Sequence, residues 1–223
     1  MTGGLFHRLR TAAGSVWPAY TRHDFVLALA SGDLQEAAFR RYLVQDYLFL
    51  LHFARAWGLA IYKSDTLSEM RRAQRLVAAT LDVEIGLHID FCRGWGLSEA
   101  AMAAEPEAPA TIAYTRFVLD RGVAGDRLDL EVALAPCIVG YAVIAAERKA
   151  DPETLIEQNR YREWLEMYAG AEYQGLAREA EAALDDQFTR RGGEARFASL
   201  AANFSLAARL EAEFWQMGLE ALP

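Results

Sequence analysis

Proline restricts the possible folds of this chain more than any other residue, because it occurs only six times and leaves long stretches uninterrupted. The prolines stand at positions 18, 106, 109, 136, 152 and 223, so the stretch 19–105 contains none. Ala, Leu, Glu and Arg dominate the proline-free stretches, and these residues are good helix formers. Alternation of β-branched and polar residues, which is typical of strands, is nearly absent. The sequence therefore predicts an all-α protein.

Helix boundaries follow from capping residues and from breaks in the apolar periodicity. Thr66 with Glu69 has the spacing of a capping box, and Asp33 with Glu36 repeats that spacing. Pro152 suits the first turn of a helix, where its missing N–H does no harm. The predicted helices span 4–13, 17–30, 34–63, 67–94, 107–122, 126–149, 153–168, 170–187 and 194–220.

The connections between the predicted helices are short, apart from the segment 96–105. None of them has the composition of an interdomain linker. A chain of 223 residues with 53% hydrophobic residues is long enough to bury a sizeable core. We therefore expect a single helical bundle that forms one domain over residues 1–223.

The charge of the chain excludes several classes of partner. It carries 23 Lys and Arg against 31 Asp and Glu, which gives a formal net charge of −8. Nucleic acid is excluded as a partner, because binding to phosphates requires a basic surface. No uninterrupted apolar run approaches the roughly 18–20 residues that span a bilayer, so no membrane partner is expected. The N-terminus lacks the apolar segment of a signal peptide, and only two cysteines occur, so we expect a cytoplasmic protein.

Two carboxylates stand where the helical periodicity calls for apolar residues. In 34–63 the apolar stripe places Asp46 among aromatic residues, and in 194–220 it places Glu211 one turn before Phe214. A buried carboxylate needs a partner, since burial of an unpaired charge is costly. One interpretation is a structural hydrogen-bond network inside the bundle. The other is a pocket, lined by aromatic rings, for a flat, nitrogen-rich or cationic ligand.

The two cysteines differ in their surroundings. Cys137 follows Pro136 inside a predicted helix and has Tyr141 one turn further on, so we expect irregular backbone beside this thiol. Cys137 is either an inert buried thiol or a reactive group. Cys92 has no motif around it, which favours an inert buried thiol.

The sequence lacks the ligand spacings that are typical of metal and cofactor sites. The apolar stripe of 67–94 places Glu84 and His88 one turn apart, which favours a structural carboxylate–imidazole pair. A di-iron bundle needs two Glu-x-x-His motifs, and the sequence contains none. Cysteine spacings typical of zinc and glycine-rich phosphate loops are also absent. We therefore predict no metal site. Haem bound through a single histidine stays formally possible, although no second feature supports it.

Five short motifs together carry a resemblance to a known family. They are Gln45-Asp46-Tyr47-Leu48-Phe49 with His52-Phe53-Ala54, Glu84-x-x-Leu87-His88, Ala135-Pro136-Cys137-x-x-Gly140-Tyr141, Glu163-Trp164-Leu165-x-x-Tyr168-Ala169, and Glu211-x-x-Phe214-Trp215. In order and spacing, over about residues 5–220, they resemble the TenA / thiaminase II family. The resemblance implies the haem-oxygenase-like fold without haem. It also implies a homo-oligomer, either a tetramer or a dimer.

The resemblance further implies a hydrolase that acts on a small-molecule pyrimidine. Members cleave thiamin to hydroxymethylpyrimidine and thiazole. In thiamin salvage they convert 4-amino-5-aminomethyl-2-methylpyrimidine, hereafter aminomethylpyrimidine, into hydroxymethylpyrimidine and ammonia. Cys137 places the sequence in the branch of the family that carries a cysteine, for which both activities are expected.

Site residues also follow from the resemblance, position by position. Cys137 corresponds to the nucleophile and Glu211 to the acid/base residue. Asp46 corresponds to the carboxylate that holds the amino group and the adjacent ring nitrogen of the pyrimidine. The residues that complete the pocket are aromatic, namely Phe49, Tyr114, Tyr141, Tyr168 and Phe214.

The sequence departs from the family at two places. Phe49 stands where many members have tyrosine, so a hydroxyl is lost while the ring remains. The run Ala142-Val143-Ile144 replaces the commoner Glu-Ile-Gly. These changes bear on substrate preference more than on the class of reaction.

Two other functions remain open. A cofactorless oxidase of the pyrroloquinoline quinone type would need clustered basic residues for its polycarboxylated substrate, whereas the inward positions here are acidic and aromatic. A non-catalytic pyrimidine-binding or regulatory protein of the same fold would bind the ligand without releasing ammonia. Turnover therefore discriminates an enzyme from a binding protein.

Overall fold

The computed structural model describes residues 3–152, 154 and 156–220. It is 82% helical, and this part of the chain contains no strand. The all-α prediction is confirmed. The predicted start of helix 153–168, at Glu153, and the ends of the predicted domain, 1–2 and 221–223, lie outside the described residues.

The chain forms short and long helices in succession. Within the described ranges the α-helices are α1 (Leu5–Ala12), α2 (Val16–Thr21), α3 (Asp24–Ser31), α4 (Glu36–Tyr62), α5 (Leu67–Ala78), α6 (Ile85–Gly94), α7 (Glu99–Ala104), α8 (Pro109–Ala124), α9 (Arg127–Ala135), α10 (Tyr141–Ala150), α11 (Arg162–Ala169), α12 (Ala171–Arg190) and α13 (Phe197–Leu219). Two π-helical segments, Ala79–Glu84 and Pro136–Gly140, join α5 to α6 and α9 to α10 without a break. A 3-10 turn, Gly193–Arg196, precedes α13.

The predicted helix 17–30 is in fact two helices, and the prediction that joined them was wrong. α2 ends at Thr21, and His23 adopts an extended conformation with φ −60° and ψ 148°. The ring Nδ1 of His23 accepts a hydrogen bond from the backbone N of Phe25 at 3.2 Å, so a histidine caps α3. Histidine is not a favoured N-cap residue, so capping preferences do not predict this break.

The predicted helix 153–168 also needs correction, because α11 begins only at Arg162 and turns precede it. Asn159 explains the turn. Its side-chain amide donates hydrogen bonds to the carbonyls of Leu29 at 2.8 Å and Ala30 at 3.0 Å. These carbonyls lie at the end of α3, where a helix has no internal donors left.

One side-chain cap begins α5 where the sequence predicts it, and another begins a helix that was not predicted. Thr66 and Glu69 form the predicted capping box at the start of α5. A short helix, α7, occupies part of the segment 96–105, which the sequence predicted as a connection, and Ser98 caps it. Asp33 was predicted to begin a second capping box, but its carboxylate accepts a hydrogen bond from a neighbouring serine hydroxyl instead.

The first π-helical segment changes which residues face the core. The predicted apolar stripe of 67–94 includes Leu81, yet Leu81 is 43% exposed and Thr80 is buried instead. A π turn contains one residue more than an α turn, so a stripe counted at α-helical spacing loses its register there. The stripe resumes at His88, which is wholly buried.

The residues group into two compact units, each made of two pieces of the chain. Unit 1 comprises Met1–Gln35 and Glu131–Gln216, and unit 2 comprises Glu36–Leu130 and Met217–Pro223. Two of the divisions fall inside helices, α9 and α13, rather than in linkers. The single domain over residues 1–223 stays a prediction.

Unit 2 contains a buried ion pair that joins the start of α9 to the start of α5. Arg127 is wholly buried, donates to Ser64 Oγ at 2.6 Å and lies 3.3 Å from the carboxylate of Glu69. The same carboxylate accepts a hydrogen bond from the backbone N of Asp65 at 2.8 Å. A buried charge pair needs such additional hydrogen bonds, because they offset the loss of hydration.

The helical stretch Arg127–Ala150 is long and apolar enough to cross a membrane by length and composition alone. The sequence-based prediction, which counted only uninterrupted apolar runs, missed this stretch. Of its most apolar window, 89% is buried inside the protein. Such burial is typical of a core helix.

Candidate active site

Asp46 lies in the middle of α4 and is buried, as its place in the apolar stripe predicts. Its Oδ2 accepts a hydrogen bond from the hydroxyl of Tyr42, one turn earlier on the same helix, at 3.0 Å. The same oxygen lies 2.6 Å from Nε2 of His88 on α6. Its Oδ1 makes no hydrogen bond within the part of the chain that the structure describes. One oxygen of this carboxylate is thus fixed and the other is not.

His88 is held at both ring nitrogens. Nδ1 lies 2.8 Å from the backbone carbonyl oxygen of Glu84, and Nε2 faces Asp46. The predicted side-chain pair between Glu84 and His88 was therefore wrong, because the histidine meets the Glu84 backbone and takes its carboxylate partner from α4. A pattern along one helix cannot show this partner, since it compares only residues of that helix.

The surroundings of His88 favour the charged ring. Burial by itself would lower the pKa of His88, because it disfavours the protonated form. The hydrogen bond and the negative charge of Asp46 outweigh burial, and the charge and carbonyl of Glu84 act in the same direction. The pKa of His88 is consequently raised above its usual value.

Gln45, the residue before Asp46, anchors the segment that leads into α8. Its Oε1 accepts hydrogen bonds from the backbone N of Ala108 at 2.8 Å and from Thr111 Oγ1 at 2.7 Å, and its Nε2 donates to the carbonyl of Pro106 at 3.0 Å. Gln45 belongs to the first sequence motif, but no role was predicted for it. Its partners lie far along the chain, where periodicity within α4 gives no information.

Two of the predicted pocket residues in unit 2 are in contact. The rings of Phe49 on α4 and Tyr114 on α8 lie 4.9 Å apart between centroids, and the ring of Phe53 lies 5.8 Å from that of Phe49. All three side chains are buried. Phe49 therefore keeps a ring contact even though it lacks the hydroxyl that tyrosine would supply.

Cys137 lies in the π-helical segment Pro136–Gly140 and is 7% exposed. The irregular backbone predicted from Pro136 is confirmed, since proline cannot donate to the helical hydrogen-bond ladder. Tyr20 donates to the carbonyl of Pro136 at 3.0 Å, and Tyr173 donates to the carbonyl of Cys137 at 3.3 Å. Hydroxyl groups from α2 and α12 thus satisfy carbonyls of this segment.

Cys92 differs from Cys137. Cys92 lies in a regular α-helix and is wholly buried. Burial raises the pKa of the Cys92 thiol to about 11, while the charge of Arg40 opposes that shift. The group is therefore a neutral thiol near pH 7, in line with the inert thiol predicted for it.

The other predicted residues of unit 1 include two tyrosines in an aromatic cluster. The ring of Tyr141 lies 5.1 Å from that of Tyr168 and 5.3 Å from that of Trp215, and Trp164 lies 4.6 Å from Tyr168. Neither tryptophan was predicted as a site residue. Both stand in the motifs of the sequence, where their spacing from Tyr168 and Glu211 could have indicated them.

Glu211 and Phe214 lie on α13 and are buried, with Glu211 only 1% exposed. Trp215 follows Glu211 by four residues, so both side chains lie on one face of the helix. Through Trp215 this face contacts Tyr141. The convergence of Asp46, Cys137, Tyr141, Tyr168 and Glu211 on one pocket stays a prediction.

A cavity of about 350 Å³ opens beside α4 in unit 2. None of the predicted site residues lines it. Its lining residues are Ala37, Arg40, Arg41, Val44, Gln45, Leu97 and Glu105. Within the described ranges, no group of three or more His, Cys, Asp and Glu side chains is arranged to hold a metal ion.

Comparison with known proteins identifies the family. The chain matches the TENA/THI-4/PQQC family over residues 10–221. The chain belongs to this family. The resemblance found in the five motifs is thereby confirmed over nearly the whole sequence.

Among the relatives of this TENA/THI-4/PQQC member, a Haemophilus influenzae protein of uncharacterized function is 36% identical over 219 residues, which are 97% of this chain and 99% of the relative. A Halalkalibacterium halodurans protein named aminopyrimidine aminohydrolase is 33% identical over 205 residues, which are 92% of this chain and 91% of the relative. The crystal structure of a protein described as a TenA family transcription regulator, from a Silicibacter species, superimposes with a TM-score of 0.92 at 43% identity and covers 97% of both chains. The haem-oxygenase-like fold is confirmed.

Proposed function

We propose that the protein is an aminopyrimidine aminohydrolase of the thiaminase II type. It converts aminomethylpyrimidine into hydroxymethylpyrimidine and ammonia, and it cleaves thiamin at the same methylene group. It works without a metal or an organic cofactor, as a cytoplasmic homo-oligomer, either a tetramer or a dimer.

The observation that carries this proposal is the buried carboxylate of Asp46. Its Oδ2 is engaged by two donors, its Oδ1 makes no hydrogen bond in the described chain, and aromatic residues flank it along α4. A carboxylate oxygen among rings is suited to an amino group on a flat heterocycle. The relative named aminopyrimidine aminohydrolase, at 33% identity over 92% of the chain, supports the same class of ligand.

In this proposal Cys137 is the nucleophile and Glu211 is the acid/base residue, the roles that the family resemblance implies for them. The Cys137 thiolate adds to a pyrimidine carbon beside a ring nitrogen, and Glu211 protonates that nitrogen, so a C–S bond forms and the ring becomes electron-rich. An electron pair of this electron-rich ring then expels ammonia from the protonated aminomethyl group. Water adds to the resulting methylene and gives one proton to the departing ammonia. The thiolate then leaves to restore the aromatic ring, and the ring nitrogen returns its proton to Glu211. Phe49, Tyr114, Tyr141, Tyr168 and Phe214 line the pocket in this proposal.

Two other functions are less well supported. A regulator that binds DNA conflicts with the net charge of −8, although the Silicibacter relative is described as a transcription regulator. An oxidase for a polycarboxylated quinone precursor would need clustered cations among the buried residues. The buried aromatic clusters around Asp46 and Tyr141 offer rings and a carboxylate instead.

Ammonia release from aminomethylpyrimidine tests the proposal. We expect wild-type protein to release one ammonia for each hydroxymethylpyrimidine formed. Cys137→Ser should lose most of this activity, since a hydroxyl is a far poorer nucleophile than a thiolate. Cys92→Ser is the matched control and should keep it. Binding of hydroxymethylpyrimidine without any turnover would contradict the enzyme and identify a binding protein.

A further inference from the structure

The hydrogen bonds of His88 determine where its protons are. Nδ1 lies 2.8 Å from the Glu84 backbone carbonyl, which can only accept, so Nδ1 carries a proton. Nε2 lies 2.6 Å from Oδ2 of Asp46, a distance at which one proton must lie between the two atoms. The ring is therefore doubly protonated unless Asp46 holds that second proton.

The second proton belongs to the histidine. Burial would lower the pKa of His88, but the hydrogen bond and the negative charge of Asp46 outweigh it and raise that pKa, which favours the imidazolium. Tyr42 donates a further hydrogen bond to the same oxygen, which stabilises the negative charge. His88 and Asp46 thus form an ion pair that is almost completely buried.

This ion pair makes the two oxygens of Asp46 unequal. Oδ2 receives a hydrogen bond from Tyr42 and another from His88, and these use its two lone pairs. Oδ1 has no partner among the described residues. Oδ1 can therefore accept a hydrogen bond from a ligand, and Tyr42 and His88 fix the direction in which this oxygen points.

We propose that His88 is a positioning residue, which holds Asp46 so that Oδ1 alone accepts the exocyclic amino group of the pyrimidine. This inference rests on the proposed function. It also refines the role implied by the family resemblance, in which the carboxylate holds the amino group and the adjacent ring nitrogen. In a neutral aminopyrimidine the ring nitrogen next to the amino group is a hydrogen-bond acceptor. Oδ2 of Asp46 is also an acceptor, so these two atoms cannot form a hydrogen bond with each other.

The protonation of His88 is tested without any ligand. In protein labelled with ¹⁵N at histidine, we expect both ring nitrogens of His88 to be protonated at pH 7 and protected from exchange, because the side chain is wholly buried. In Asp46→Asn the ring should become neutral, with one protonated nitrogen. A neutral His88 ring in the wild-type protein would overturn the ion pair.

Binding of hydroxymethylpyrimidine tests the positioning role. In His88→Leu we expect the Kd to rise about tenfold or more, as for loss of a charge-assisted hydrogen bond. His88→Gln, which restores a donor near the position of Nε2, should recover most of the affinity. His52→Gln is the matched control, because His52 also pairs with a carboxylate, Glu107, at 2.8 Å, and should leave Kd unchanged.

A second probe, hydroxymethylpyrimidine without its 4-amino group, separates positioning from general damage. If His88 acts through the amino group, His88→Leu should weaken binding of this probe by less than twofold, as a double-mutant cycle requires for coupled groups. Equal weakening of both probes would overturn the proposal. Failure of the wild-type protein to bind either pyrimidine or to release ammonia would instead refute the proposed function. The ¹⁵N measurement of His88 protonation would still test the ion pair, because it needs no ligand.

Discussion

At the scale of single residues, the charge of Asp46 is the property that a substitution can test most directly. In Asp46→Asn the amide can donate to a neutral His88 ring and leave its carbonyl oxygen at the position of Oδ1. We therefore expect only a small loss of stability and a weaker complex with hydroxymethylpyrimidine, by roughly fivefold to tenfold, since a charged hydrogen bond exceeds a neutral one by about 1 kcal/mol. Titration and thermal melting of both proteins measure the two effects. Unchanged affinity with a large fall in Tm would favour a purely structural network.

Cys137 and Glu211 should behave as one catalytic group. Glu211→Gln cannot protonate the ring nitrogen, and loss of a general acid lowers rates by roughly 10²–10⁴-fold. Cys137→Ser should be similarly slow. Because both residues serve the same addition step, the double variant should be about as slow as the slower single variant.

Steady-state ammonia release of the wild-type protein, both single variants and the double variant tests this expectation, with hydroxymethylpyrimidine binding as the control for folding. Near-normal turnover in Cys137→Ser, beside a slow Glu211→Gln, would mean that Glu211 activates water directly. Cys137 would then be a buried thiol without a catalytic role.

The raised pKa of His88 links the ion pair to stability. A group whose pKa is raised on folding stabilises the protein fully below its unfolded pKa, about 6.5 for histidine, and this contribution is lost as the pH rises through the folded value. At pH 6 we expect His88→Gln to be less stable than wild type by about 1–3 kcal/mol, and the gap to narrow toward pH 10. Urea unfolding of both proteins across this pH range measures the difference in the free energy of unfolding. A difference that does not change with pH would contradict a charged His88.

The sequence predicted the burial of the two carboxylates, but not the hydrogen bonds that surround Asp46. Asp46 and Glu211 are buried as their places in the apolar stripes indicate. Tyr42, one turn before Asp46, could also have been identified as its partner from the spacing alone. His88 and Gln45 could not, because their partners lie on other helices and depend on packing that one sequence does not reveal.

At the scale of secondary-structure elements, the π-helical segment around Cys137 depends on a close approach by α2. Gly140 has helical dihedral angles, and a Cβ there would lie 2.7 Å from the ring and hydroxyl of Tyr20. The same hydroxyl donates to the carbonyl of Pro136. Glycine thus lets Tyr20 reach the backbone beside the thiol.

Gly140→Ala should consequently destabilise the protein. Overpacking of this kind typically costs about 1–3 kcal/mol, which lowers Tm by about 2–4 °C per kcal/mol in a chain of this size. Gly58→Ala is the matched control, because Gly58 lies in α4 with open space around it. That change should raise stability by about 0.5–1 kcal/mol through helix propensity. A Gly140→Ala protein as stable as wild type would show that Tyr20 moves aside without loss.

The starts of helices were predicted well where neighbouring residues determine them, and less well where contacts with distant residues determine them. The capping box of Thr66 and Glu69 is local, and α5 begins where it predicts. The turn before Arg162 depends on Asn159, whose hydrogen bonds reach the end of α3. No pattern near Asn159 contains that information, so helix propensity extended the predicted helix too far.

At the scale of the whole molecule, the two compact units are not separate in sequence. Each consists of two pieces of chain, and the divisions at 130 and 216 fall within α9 and α13. Helices form and melt cooperatively along their length. Loss of structure in one unit would therefore unwind helices that also belong to the other.

We accordingly expect thermal unfolding in a single transition, with equal calorimetric and van't Hoff enthalpies, as for one domain. Gly140→Ala in unit 1 and Gly58→Ala in unit 2 should each shift the whole transition, in opposite directions. Calorimetric scans at several protein concentrations distinguish dissociation of an oligomer from unfolding of the chain, since only dissociation makes Tm depend on concentration. Two resolved transitions, each moved by only one of the variants, would contradict the single domain and show that the units unfold independently.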